Sequence, residues 1–451
     1  MSLRRVVVTG LGAITPLGKN VAEFWDGLSR GVSGAAAITR FDASKFKTRF
    51  ACEVKNYNPD DYFPTKEGRK MDLFTQFAVI ASDEAIKDAN LEGVNKDRVG
   101  VIWGSGIGGL KTFQEECFNF AKGDGTPRYN PFFIPKMIAD SSSGNISIKN
   151  GFRGPNFVTT SACASSSDAI VAAYNYIRLG MADVAVTGGS EAAITEAGVG
   201  GFNSLKAMSE RNDDAQSASR PYDKDRDGFV LGEGSGALVI EEYEHAKARG
   251  AKIYAEIIGG GLSSDAYHIT APDPTGEGVV LVMQNALRDA GIGPEDVDYI
   301  NTHGTSTPLG DGAEIKAIQK VFGEHAYNLN ISSTKSMTGH LLGGAGGIEA
   351  LASILAIQHG IVPPTINHFT DDPELDARLN FTFNEAQQRE VTVAMSNTFG
   401  FGATTRRSFS ASSATNASTG SATTALRIFP AAARAGPGFS PSHCYGNRPH
   451  A

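Results

Sequence analysis

A chain of 451 residues, 41% hydrophobic and 20% charged, is long enough to bury an extensive core in one large domain or two fused halves. Its net charge of -8 argues against a nucleic-acid binder, which usually shows a basic face. No apolar run reaches the roughly 18 residues of a membrane span. The four cysteines, Cys52, Cys117, Cys163 and Cys444, show neither a paired disulfide framework nor zinc spacing, so a reducing, cytoplasmic compartment is expected.

In chain order, Met1 to Arg5 leads straight into a strand at 6–8, with no visible signal or transit peptide. Gly10-Leu11-Gly12-Ala13-Ile14-Thr15 follows and resembles the opening of a dinucleotide fingerprint. The match fails at its third glycine, where Thr15 stands, so a nucleotide-binding oxidoreductase is set aside. Apolar strands then alternate with helices at 99–103, 156–159, 184–187 and 237–241, and again at 253–258, 297–300, 329–332 and 391–395. Such alternation predicts a mixed α/β sheet covered by helices. The strand, small-residue turn and helix around Cys163 are echoed around Ser336, which hints at an internal duplication that residue identities alone do not establish.

Between an expected buried strand that ends at Pro155 to Val158 and a helix with apolar residues at Ala169, Ile170, Ala173, Tyr176 and Ile177 lies Thr159-Thr160-Ser161-Ala162-Cys163-Ala164-Ser165-Ser166-Ser167. A thiol at a helix N-terminus meets unpaired N–H groups and the positive end of the helix dipole, which favour thiolate and can hold an oxyanion. Taken alone, the stretch equally fits an inert buried cysteine. Two later loops carry a histidine after an apolar strand: Asn301-Thr302-His303-Gly304-Thr305-Ser306-Thr307-Pro308, before a helix from about Ala313, and Ser332-Ser333-Thr334-Lys335-Ser336-Met337-Thr338-Gly339-His340, before a helix at 348–358. Their position sets His303 and His340 apart from the other histidines. Lys335 fits either a solvated surface lysine or a partly buried charge that orients its neighbours.

Together with Ser396-Asn397-Thr398-Phe399-Gly400-Phe401-Gly402, these motifs resemble the β-ketoacyl-acyl carrier protein synthases, and the KAS II elongating type most closely, from Arg4 to about Gly402. The resemblance implies a thiolase-like α/β fold of two similar halves with mixed sheets layered against helices. The halves are expected at 1–250 and 251–410, followed by a tail at 411–451. It implies that Cys163 takes an acyl chain from the phosphopantetheine arm of acyl carrier protein, and that His303 and His340 stabilise the enolate left when malonyl-carrier protein loses CO2. The backbone N–H groups of Cys163 and Phe401 match the family's oxyanion hole, and Lys335 and Glu349 a pair that supports the histidines.

By the same resemblance Thr305 and Thr307, with Thr270, bind the pantetheine arm, while Ile107 and Phe202 line the acyl pocket. Phe133 reaches across a homodimer, and Phe399 gates the nucleophile. Apolar core packing is the alternative for Ile107, Phe133 and Phe202. Lys66, Arg69 and Lys70 fall near helical spacing and match a docking patch for the acidic carrier protein, with Arg128 and Arg211 beside them; a plain solvated helix face has the same pattern. No permanently bound cofactor, metal, nucleic acid or membrane is implied. KAS I, a polyketide ketosynthase or a silent chain-length-factor-like subunit share much of this pattern.

The chain departs from the family after Phe401-Gly402. It reads Ala403-Thr404-Thr405-Arg406-Arg407-Ser408-Phe409-Ser410 where Gly, then Thr or His, then Asn and a short apolar strand are expected. Restoring one G in a permissible codon series for 402–410 yields Gly-Gly-His-Asn-Ala-Ser-Val-Leu-Leu, the family's ending. A reading-frame change at about Gly402 is therefore expected, with a genuine lineage-specific tail as the alternative. The Ala/Ser/Thr-rich and then Pro/Gly-rich composition of 411–451 predicts disorder there.

Overall fold

The computed structural model describes residues 3–267, 273–400 and 421–427. Ten strands share one sheet: β1 (Val6–Ile14), β2 (Val99–Gly104), β3 (Asn156–Thr159), β4 (Val184–Glu191), β5 (Gly234–Glu242), β6 (Ala255–Ser263), β7 (Tyr299–Asn301), β8 (Asn330–Ser332), β9 (Val393–Phe399) and β10 (Ser421–Arg427). Six helices bear on the site: α1 (Leu73–Ala89), α2 (Leu110–Lys122), α3 (Ser165–Arg178), α4 (Glu277–Ala290), α5 (Pro308–Phe322) and α6 (Ala345–His359).

The strand order runs β8-β7-β9-β10-β6-β1-β5-β4-β2-β3. Numbered within its own half, each set of five has the same order, third-second-fourth-fifth-first, and the same directions. β2 runs parallel to β3 and β4, as β7 does to β8 and β9, while the fifth strand of each half is antiparallel to the fourth and the first. The halves join where β1 pairs β6, from Val6 opposite Ile257 to Val8 opposite Ala255. Duplication is thus visible in topology, where residue identity had lost it.

The central helices α3 and α6 pack on each other and touch strands of both halves, while α1 covers β1, β5 and β4, and α4 covers β6 and β10. Every residue of α6 from Ala345 to Ile357 is buried, as a helix enclosed on all sides requires. Glycine explains the close fit of α1: a Cβ on Gly10 would lie 2.2 Å from Ala85 O, and one on Gly12 1.9 Å from Ala81 O. The Gly-Leu-Gly motif therefore admits a helix backbone to the sheet.

Several expectations are refined. The strand ending near Val158 is not fully buried: β3 is an edge strand, half-buried from Phe157 to Thr159. α5 starts at Pro308 rather than near Ala313, because proline's fixed φ suits the first helical turn. The duplicate of the Cys163 turn is Leu342–Gly344, directly before α6, and not the segment around Ser336. Disorder across the whole of 411–451 does not hold at 421–427, where β10 fills the slot between β9 and β6. The physical reason is that an empty slot would leave two facing rows of unpaired backbone groups inside the sheet.

Candidate active site

Cys163 sits in the turn Ala162–Ala164 before α3, one turn ahead of the regular helix. Ala162 takes φ 50, a left-handed conformation costly for a residue with a Cβ, and the turn is tied down by its neighbours. Ser161 N–H donates to Ser165 Oγ at 2.9 Å, Ser165 Oγ donates to the Ala162 carbonyl at 2.7 Å, and Thr159 Oγ1 donates to the Ser165 carbonyl at 2.7 Å. The run of small hydroxyl residues read in the sequence is what holds this strained turn.

The C-terminal half brings its loops to the same point. His340 Nε2 lies 3.0 Å from Cys163 Sγ. The His303 ring stands 5.3 Å from that of His340 at 87°, and Phe399 packs 5.3 Å from His303. Behind His340, Phe229 is 5.4 Å away edge-on, and Phe202 is 5.4 Å from Phe229. Phe229, Leu342 and Cys163 belong to one buried apolar cluster, against which the half-buried Phe202 packs.

Both histidines are held well below the ordinary imidazole value, first by burial and then by the Lys335 charge, with His340 adding to the effect on His303. They are therefore neutral near pH 7, each with one N–H to donate. His303 nevertheless keeps an accessible edge. Neither Nδ1 has a hydrogen-bond partner among the described residues.

Lys335 is buried in an ion pair with Glu349, so the solvated reading of this lysine does not hold. Burial pushes the Glu349 carboxyl up, and Lys335 opposes that push. Glu349 Oε2 also accepts from Thr398 Oγ1 at 3.3 Å, and Thr398 Oγ1 is 2.9 Å from Ser167 Oγ on α3. This chain of contacts runs from the histidine loop to the nucleophile's helix.

Glu314, on α5, was not singled out in the sequence. It accepts the N–H groups of His303 at 3.0 Å and Gly304 at 2.9 Å, and Asn397 Nδ2 at 3.2 Å, and burial pushes it up to about 7. An acidic residue among Ala313, Ile315, Ala317 and Ile318 on the buried face of a helix is the signal that would have found it. Thr305 and Thr307 share the His303 loop, their hydroxyls 3.0 Å apart.

Phe133 and the basic candidates lie outside this cluster, whereas Ile107 adjoins the Cys163 turn through Gly106, on which a Cβ would lie 3.1 Å from the Ala162 carbonyl oxygen. Phe133 stacks 5.4 Å from Tyr129 and 6.4 Å from Phe113 of α2, and Ile107 is 42% exposed. Lys66, Arg69 and Lys70 are exposed, and no ion pair of theirs occurs among the described residues. The segment is shorter than the spacing suggested: its helix is Thr65–Gly68, with Arg69 as its cap. Arg128 is tied to Asp124 at 3.3 Å, and Arg211 donates to the Asp225 carbonyl at 2.9 Å. Thr270, Phe401 and Gly402 lie outside the described residues.

The duplicated α/β frame is that of the condensing acyltransferases, and it brings a buried thiol beside two imidazoles. The chain belongs to the β-ketoacyl synthase family: the profile "Beta-ketoacyl synthase, N-terminal domain" matches residues 3–246, and "Beta-ketoacyl synthase, C-terminal domain" matches 254–369. It is 51% identical over 402 residues to the 3-oxoacyl-[acyl-carrier-protein] synthase 2 of Staphylococcus aureus (strain COL), covering 88% of this chain and 96% of that protein. It is also 51% identical over 401 residues to the protein of the same name from Synechocystis sp. (strain ATCC 27184 / PCC 6803 / Kazusa), covering 88% and 96%. Among solved structures, a beta-ketoacyl synthase from Burkholderia phymatum STM815 superposes with a TM-score of 0.84 at 34% identity, covering 95% of this chain and 100% of that one. A type II PKS acyl-carrier protein in complex with its ketosynthase gives 0.84 at 32% identity, with the same coverage. The thiolase-like α/β fold expected from the motifs is the fold of these relatives.

Proposed function

We propose that this chain is an elongating 3-oxoacyl-[acyl-carrier-protein] synthase of the type 2 class, working through a Cys163 acyl-enzyme. The observation that carries it is the 3.0 Å approach of His340 Nε2 to Cys163 Sγ, with His303 beside it and Lys335–Glu349 behind. Cys163 thiolate attacks the acyl thioester on the phosphopantetheine arm. The tetrahedral oxyanion collapses, the arm leaves as its thiol after taking up a proton, and the acyl chain remains on sulfur. The backbone N–H of Cys163, at the start of α3, fits this charge, with that of Phe401 as the family's second donor.

Malonyl-carrier protein then loses CO2. The electron pair of the broken C–C bond passes to the thioester oxygen as an enolate, for which the N–H groups of two neutral imidazoles are suited donors. The enolate carbon attacks the Cys163 thioester, forming the new C–C bond and expelling the Cys163 thiolate. The product is a 3-oxoacyl chain two carbons longer. Lys335 serves as a positioning charge that keeps the histidines neutral, and Glu349 holds Lys335. Thr305, Thr307 and Thr270 suit the amides of the arm, Phe202 and Ile107 the acyl chain, and Phe399 the gate, with Gly400 as its hinge.

The partner is an acidic acyl carrier protein, a reading supported by the solved carrier-protein complex of a related ketosynthase; it meets the chain in the cytoplasm and docks on Lys66, Arg69 and Lys70, with Arg128 and Arg211 at the rim. A homodimer is supported by the half-exposed edge strand β3 and the nearby exposed Phe132, Ile134, Ile138 and Ile148, the last at 83%. Phe133 and Ile107 adjoin that face. The reading frame changes at about Gly402, and resequencing of the coding DNA tests this: an unbroken frame through 402–410 would end the idea. The central test of the reaction is mass spectrometry of Cys163 after incubation with acyl-carrier protein. A mass increase of one acyl group on the Cys163 peptide is expected, and an unmodified thiol would refute the acyl-enzyme.

A further inference from the structure

Glu191 ends β4 fully buried and accepts four hydrogen bonds, none of them from a cationic side chain. Its Oε2 receives the N–H groups of Gly106 at 2.8 Å and Gly343 at 3.0 Å, and its Oε1 the N–H of Ile107 at 3.2 Å and the hydroxyl of Ser105 at 3.3 Å. Burial pushes this carboxyl up to about 7. A carboxylate enclosed without a counter-charge among the described residues is costly, and its position shows what the cost secures.

The four donors belong to opposite halves of the molecule. Ser105, Gly106 and Ile107 follow β2 in the first half, whereas Gly343 lies in the turn Leu342–Gly344 of the second. That turn is the counterpart of the Cys163 turn, and its leading residue Leu342 has φ 48 where Ala162 has φ 50. The three segments meet without spare room. A Cβ on Gly106 would lie 2.9 Å from Glu191 Oε2 and 3.1 Å from Ala162 O, and one on Gly343 would lie 2.1 Å from Gly106 N. Leu342 packs in the same apolar cluster as Cys163 and Val199, so a shift of the Glu191 clamp moves Leu342 on one side and Ile107 on the other.

We infer that Glu191 is a positioning residue that fixes Leu342 and Ile107 relative to Cys163 and so sets which acyl chains the site accepts. The inference rests on Cys163 carrying the acyl chain. With Ile107 lining the acyl pocket, as proposed above, and Leu342 facing it across the Cys163 turn, a long chain would touch both while a short one ends near the sulfur, so loosening the clamp penalises long primers selectively. Glu191→Gln keeps the volume but turns one acceptor oxygen into a donor; with the amide oxygen kept toward Gly106 and Gly343 and the Ser105 hydroxyl turned to accept, the Ile107 N–H loses its partner.

The experiment compares kcat/KM for long and short acyl-carrier-protein primers in wild type, Glu191→Gln and Glu191→Asp, alongside malonyl decarboxylation and thermal unfolding. In Glu191→Gln the long-to-short ratio is expected to fall at least about tenfold, the loss that follows from one charge-assisted hydrogen bond, with decarboxylation changed less than about threefold and partial recovery in Glu191→Asp. An unchanged ratio in a folded variant overturns the proposal, as does an equal loss for both primers and decarboxylation, which is what a merely structural role produces. Should Glu191→Gln not fold, Gly106→Ala gives the same comparison by pressing a methyl on Glu191 Oε2. Absence of Cys163 acylation in the wild-type enzyme would instead overturn the acyl-enzyme reading.

Discussion

Truncation before Ser421 tests the place of the last strand in the fold. β10 pairs with β9 along its whole length, from Val393 opposite Arg427 to Phe399 opposite Ser421, and with β6 from Ser421 opposite Ser263 to Arg427 opposite Glu256. Two antiparallel ladders of this length hold about a dozen backbone hydrogen bonds. At a net contribution of about 1 kcal/mol each, their loss is on the order of 10 kcal/mol, comparable with the whole stability of a domain at about 5–15 kcal/mol. A chain ending at Gly420 is therefore expected to be insoluble or molten, whereas one ending at Arg427 should unfold within a few degrees of the full chain. Thermal unfolding by circular dichroism separates the two, and hydrogen exchange should show β6 and β9 unprotected in the shorter chain. A chain ending at Gly420 with the melting temperature of the full chain and protected β6 amides would refute the argument that β10 completes the sheet.

Cys163→Ala should abolish acyl transfer while malonyl decarboxylation survives, since the enolate is held by the histidines; loss of both half-reactions together, measured as acyl-enzyme mass and released CO2, would contradict that division. Lys335→Met removes the second cause that lowers His303 and His340. Their folded pKa values then rise, so the acid limb of decarboxylation, where activity falls as the imidazoles protonate, should move to higher pH. The stability cost of leaving Glu349 unpaired is about 3–5 kcal/mol, and an unmoved pH–rate profile in a folded variant would exclude the electrostatic role. Reversing Lys66, Arg69 and Lys70 to Glu should raise the apparent KM for carrier-protein thioesters by about tenfold at low salt and leave small pantetheine thioesters untouched, the difference fading as salt screens the wild-type charges. Equal loss with both substrates would point to damage of the fold, and no loss with the carrier protein would place its docking surface elsewhere.

The positions of the candidate site residues were legible in the sequence wherever local chain geometry carries them. A small-residue turn between strand and helix placed Cys163, and the strand-to-loop positions of His303 and His340 marked them out, because periodicity and turn residues act over a few neighbours. Only the tertiary structure decided which groups meet. The 3.0 Å contact of His340 with Cys163, the burial of Lys335 against Glu349, and the clamps at Glu191 and Glu314 all join residues far apart in the chain. A lone carboxylate or lysine reads the same in sequence whether it is solvated or buried, since its state depends on what packs over it. The duplication was hidden for a related reason: strand order and direction persist while side chains diverge, since backbone pairing is indifferent to side-chain identity. The same indifference lets 421–427, where only Ala422, Ala425 and Leu426 are apolar in place of the apolar last strand expected, pair as β10 between β9 and β6.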